Sequence, residues 1–158
     1  MGSKITQFPE ATSIVDTDIL AVVIDPGGAP NTKKIQISNF LGVWTDYSAV
    51  STIVGWSSFT VKKVFYKKVG KTVFVQFDLS GTSNSIFATF TLPFANRNDG
   101  LVLEFPIYGE DAAVPLCTRL FILLSGDQTV GCYSTAAGGV WTASGVKTIR
   151  GEFFYQVA

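Results

Sequence analysis

Histidine is missing altogether from the 158 residues. Its absence removes Ser-His-Asp and Cys-His catalysis, the usual zinc ligand and the commonest general base. Charge is scarce as well. Only 15% of the residues are Asp, Glu, Lys or Arg, against about a quarter in an average globular protein. Formal net charge is zero, and the one basic cluster is Lys62, Lys63, Lys67, Lys68 and Lys71. Adjacent strand residues point to opposite faces, so these lysines form no stripe, and a nucleic-acid partner is not expected. No apolar run approaches the ~18–20 residues that span a bilayer. The Met1-Gly2-Ser3-Lys4 start carries no apolar signal segment. The sequence therefore predicts synthesis in the cytoplasm and no membrane insertion. Cysteine is limited to Cys117 and Cys132, both in apolar strand-like surroundings. They either pair across neighbouring strands or stay free as small buried hydrophobes.

Little catalytic chemistry remains. Asp16 with Asp18, and Glu110 with Asp111, are the candidate carboxylate pairs. Glycosidases set two carboxylates across a cleft at about 5–9.5 Å, whereas neighbours in a turn are ordinarily solvated. Asp16-Thr17-Asp18 lacks the glycine and terminal glutamate of an EF-hand loop, and no glycine-rich loop is built to cradle phosphate. No catalytic residue, metal or cofactor is expected, and the chain is not read as an enzyme.

What the chain has instead is apolar bulk: 47% hydrophobic residues and 13 phenylalanines. Such a composition either fills a β-sandwich core or leaves surface to be covered in an assembly. Residues 1–42 read as a small β-rich segment. Ile5-Thr6-Gln7-Phe8-Pro9 is extended because Pro9 disfavours helix before it. Strand candidates 19–24 and 33–37 flank the loop Asp25-Pro26-Gly27-Gly28-Ala29-Pro30-Asn31. Ser38 to Gly42 reads as a cap and one helical turn.

Residues 43–158 read as an antiparallel β-sandwich or jelly roll of seven or eight short strands. Val73, Val75, Phe77 and Leu79 alternate with Thr72, Phe74, Gln76, Asp78 and Ser80, a period of two. The Val69-Gly70-Lys71 corner joins this run to a strand over 59–69. Further inward sets are Ile86, Ala88, Phe90 and Leu92; Leu101, Leu103, Phe105 and Ile107; and Ile149, Phe153, Tyr155 and Val157. The stretch 116–124 is apolar on both faces except Thr118 and Arg119. Gln128 to Tyr133 reads as a shorter strand.

Phe74, Phe87, Val102, Tyr108, Phe121, Leu123 and Phe154 fall opposite the core positions. Burying one Phe or Leu contributes about 1.5–3 kcal/mol, so several per subunit would hold copies together. Phe74, Phe87, Phe121, Leu123 and Phe154 are the expected oligomer interface. Trp141, with Tyr133 and Tyr108, is the candidate for contact with a receptor, a flat apolar ring with a polar handle suiting sugars and proteins. Packing of Trp141 over a core edge is the competing reading. Trp44 and Trp56 are expected to be structural plugs at the junction.

Two layouts carry a resemblance. The Tyr66-Lys67-Lys68-Val69-Gly70 hairpin followed by a strand ending in Leu92-Pro93 resembles the C-terminal domain of bacteriophage fibre and appendage proteins. Ile5 to Ser13, Asp16 to Asp25 and Thr32 to Leu41 are similar to the N-terminal modules of phage tail and fibre proteins. The resemblance implies a virion location after assembly in the host cytoplasm, and a homotrimer as self-partner. It also implies attachment to other virion proteins (capsid, tail or fibre) through Ile5, Phe8, Pro9, Leu20, Val22, Ile35 and Phe40. A short fibre or decoration on head or tail is the leading expectation. A carbohydrate-binding receptor-recognition module, meeting a host glycan or protein, is the alternative.

Overall fold

The computed structural model describes the backbone of residues 19–24, 31–36 and 41–158. Side chains are described for 41–158, apart from 117, 121 and 123–125. By backbone contacts the chain divides into two compact units, Met1–Val43 and Trp44–Ala158. In the first, β1 (Ile19–Ile24) and β2 (Asn31–Gln36) pair antiparallel, from Ile19↔Gln36 to Ile24↔Asn31. Of the expected attachment residues, Ile5, Phe8, Pro9 and Phe40 lie outside the described residues. For Leu20, Val22 and Ile35 only the strand backbone is described.

The second unit is all β and antiparallel. Its strands are β3 (Thr45–Asp46), β4 (Ile53–Val54), β5 (Trp56–Val69), β6 (Thr72–Ser83), β7 (Thr89–Thr91), β8 (Asn98–Asp111), β9 (Val114–Ser125), β10 (Thr129–Tyr133) and β11 (Val146–Gln156). All nine join one sheet in the order β3-β5-β6-β11-β8-β9-β10-β7-β4. The sheet rolls over on itself, so that β7, β9 and β10 cover β5, β6 and β11 as the second layer of a sandwich. Phe77 of β6 meets Phe90 of β7 at 5.1 Å between ring centroids, and Phe90 meets Phe153 of β11 at 6.2 Å. Tyr47 ties the first border of the sheet to the last. Its N–H donates to Val64 O at 2.8 Å and its hydroxyl to Leu92 O at 3.2 Å.

The alternation read in β6 and β11 is the one observed. Val73, Val75, Phe77, Leu79, Ile149, Phe153, Tyr155 and Val157 are buried, each near neighbour on the strand facing the opposite way. Ala88, Phe90 and Leu92 are buried too, but Ile86 is 44% exposed because β7 begins only at Thr89. Leu101, expected inside, is 50% exposed. A register shift between Asn98 and Val102 of β8 breaks the alternation there. Along β8 burial deepens from Leu103 and Phe105, half-buried, to Ile107, buried.

Two irregularities shape the surface. In β5 the register shifts between Trp56 and Ser58 and again between Phe59 and Val61. On its other side β5 pairs with β3 only at Phe65 and Tyr66, so 57–63 is an open edge among the described residues. In β11, pairing with β8 runs from Lys147↔Asp111 to Arg150↔Tyr108 and no further, so the two strands part at Gly151. A Cβ on Gly151 would come within 2.8 Å of Ile107 Cγ2. Only glycine lets β8 pass so close at the fork.

Candidate functional site

The fork between β11 and β8 opens a cleft on the outer face of the sheet, about 400 Å³ in volume. Phe74 of β6 and Phe154 of β11 form one wall, partners across the ladder with ring centroids 6.2 Å apart. Phe105 of β8 fills the mouth of the fork, edge-on to Phe154 at 5.6 Å and tilted against buried Phe153 at 5.9 Å. Trp44 completes the lining, and the Lys67 ammonium lies over Trp44 and Phe74 at 5.4 and 5.5 Å, a cation–π arrangement. The polar lining is Gln76 and Glu152, with Gln76 Nε2 donating to Glu152 Oε2 at 3.3 Å.

Gln76 and Glu152 also border a second depression, of about 440 Å³, with Lys63, Asp78 and Arg150. Arg150 Nε stands 3.9 Å from Asp78 Oδ1, and the Arg150 guanidinium lies over Tyr108 at 5.0 Å. Tyr108 is 42% exposed and its hydroxyl donates to Glu110 Oε2 at 3.3 Å.

At the opposite end of β11 the surface changes character. Ile86, Phe87 and Val140 line a shallow depression of about 100 Å³ with Thr89, Gly131 and Tyr133. No charged residue lines it. Phe87 is 60% and Val140 58% exposed, and Val54, also exposed, pairs with Thr89 beside them. The expected interface set is thus divided in two. Phe87 stands at one end, while Phe74 and Phe154 stand at the other beside charged neighbours. Side chains of Phe121 and Leu123 lie outside the described residues.

Trp141, the foremost candidate for receptor contact, is buried at 2% exposure. Its indole N–H donates to Cys132 O at 2.7 Å, so its ring is spent on the core. The tryptophan that does face solvent is Trp44, at 41% exposure, although the sequence reads it as a plug. Trp56, its counterpart, is buried, donating to Lys147 O at 3.0 Å. Arg119 lies over half-buried Tyr133 at 5.3 Å.

Behind the uncharged end patch sits Lys147, with no exposed surface. Its Nζ donates to Ser85 O at 2.7 Å and to Gly55 O and Phe87 O, each at 3.2 Å. The Trp56 and Trp141 rings flank it at 5.1 and 5.6 Å. Burial lowers its pKa to about 8, with Asp111 and Cys132 pulling the other way. Gly55, at φ +116°, is required where the chain turns past this group, since a Cβ there would strike Phe87 O. The Cys132 thiol is free and buried, and burial pushes its pKa up.

Of the carboxylate pairs, Asp16 and Asp18 lie outside the described residues. Glu110 accepts the Tyr108 hydroxyl, while Asp111 accepts the Thr142 N–H at 2.8 Å. No group of three or more metal-ligating side chains occurs among the described residues. Set against known proteins, the chain matches no protein-family model and no curated protein.

Proposed function

We propose that this chain is a structural subunit of a bacteriophage particle, forming a short oligomeric fibre or decoration, trimeric in its simplest form. Residues 1–42 attach it to capsid, tail or fibre proteins, and the sandwich projects outward. Support comes from the two sequence layouts that resemble phage appendage proteins. The observation that carries self-association is the uncharged patch of Ile86, Phe87, Val140 and Val54. Cores of protein interfaces are depleted in charge and enriched in aromatic residues, and this patch has that make-up. The reading requires no catalysis and no cofactor.

Light scattering on the purified chain tests it. A mass three times the 17.0 kDa protomer is expected, falling to one protomer in Phe87→Ser/Val140→Ser. A wild-type mass of one protomer at every concentration would remove the assembly reading. Labelled protein seen on intact particles, and lost when 1–42 are deleted, tests the location.

A second reading, a carbohydrate-binding module that meets a host surface, is favoured by the aromatic cleft. It would rest on Trp44, Phe74 and Phe154 rather than on buried Trp141.

A further inference from the structure

We infer that the cleft at the β11–β8 fork is a binding site for an uncharged pyranose ring of a glycan. The inference deepens the second reading by naming the site and its ligand class, and it is independent of self-association. Three features of the cleft point the same way. Its walls are aromatic faces and edges, from Trp44, Phe74, Phe105 and Phe154, which suit the C–H face of a sugar ring. Its volume, about 400 Å³, falls within the range of small-molecule sites, about 300–1,000 Å³.

The third feature is the polar lining. Gln76 brings a carbonyl and two N–H donors, and Glu152 is acceptor-only when ionised. Their one mutual hydrogen bond uses a fraction of that capacity, leaving donors and acceptors for vicinal hydroxyls. The surface of a second protein copy would leave such groups desolvated, since charged residues are disfavoured at interface cores. Lys67 and Glu152 carry opposite charge on the same lining. An anionic ligand attracted by one is repelled by the other, which leaves neutral sugars as the best match. The backbone supports a standing site, because the β11–β8 pairing ends at Arg150↔Tyr108 and Phe105 is wedged against Phe153 beyond it.

The test uses the tryptophans. Trp56 and Trp141 are buried and Trp44 is exposed, so a ligand in the cleft changes chiefly Trp44 emission. The full chain is titrated with glucose, galactose, mannose and N-acetylglucosamine, and with glucuronate as an anionic control. A saturable change with at least one neutral sugar is expected. It should weaken about tenfold in Gln76→Ala, the loss of one well-made hydrogen bond. It should weaken similarly in Phe154→Ala, and persist in Phe87→Ser/Val140→Ser. Circular dichroism of each variant confirms that the sheet is retained. No saturable change with any neutral sugar, a response to glucuronate alone, or a response unaltered in both cleft variants would each overturn the inference. Self-association is read separately by mass, so either proposal can fail without the other.

Discussion

Replacing Lys147 by methionine keeps most of the side chain's volume but removes the ammonium that answers the Gly55, Ser85 and Phe87 carbonyls. Gly55 O keeps the Asn84 N–H and Ser85 O the Ser83 hydroxyl, so Phe87 O is the acceptor left without a donor. That costs about 1–3 kcal/mol, and Lys147→Met is expected to destabilise the sheet by about that much at pH 7. The pH dependence has a definite sign. The folded pKa, about 8, lies below the ordinary 10.5. Between those values the unfolded chain binds more protons than the folded one, so stability contributed by this residue rises with pH. Wild type should therefore gain on Lys147→Met from pH 8 to 10.5, by on the order of 3 kcal/mol; a flat difference in urea midpoints would contradict the assignment. At this scale the sequence was least legible. A lysine beside Thr148 in an amphipathic strand gives no sign that it is buried, because its partners come from 60 to 92 residues away. Trp141 offers two readings, receptor contact from its glycine- and serine-rich neighbours or packing over a core edge. The second is the one observed, its indole N–H donating to the buried Cys132 carbonyl.

Among the elements, the β8–β9 hairpin carries a correctable strain. Asp111 pairs with Val114, which leaves Ala112 and Ala113 as a two-residue turn, with φ of 49° and 66°. Positive φ at both positions belongs to the turn type that favours Asn-Gly. An L-residue in the left-handed region costs about 1–2 kcal/mol. Ala113→Gly is accordingly expected to raise stability by about 1 kcal/mol, seen as a higher urea midpoint; a lower midpoint would mean the turn is not strained as described.

β6 and β11 could be read directly from sequence. Their inward positions recur every second residue, and the pairing runs unbroken from Val146↔Thr82 to Gln156↔Thr72. β8 could not be read to its end. Its apolar alternation continues through Leu101, but the register shift and the parting from β11 take that end out of the core. The cleft was hidden for the same reason, since nothing in the spacing of Phe74, Phe105 and Phe154 announces where two strands separate.

For the molecule as a whole, the nine-stranded sheet lies entirely within Trp44–Ala158. A chain beginning at Trp44 is expected to fold by itself with one cooperative urea transition, coincident by fluorescence and circular dichroism. Non-coincident transitions would show that the preceding residues are needed for folding. The sequence placed a boundary at 42/43, and the contact division falls after Val43.

The rolled sheet also has a border to guard. Residues 57–63 of β5 present backbone groups that a strand from another molecule could extend. Two register shifts distort that border, and Lys62 and Lys63 stand on it. Kinks and lysines of this kind frustrate ribbon growth. Crowded copies are thereby discouraged from joining strand to strand along this border, the step that would seed an amyloid-like thread.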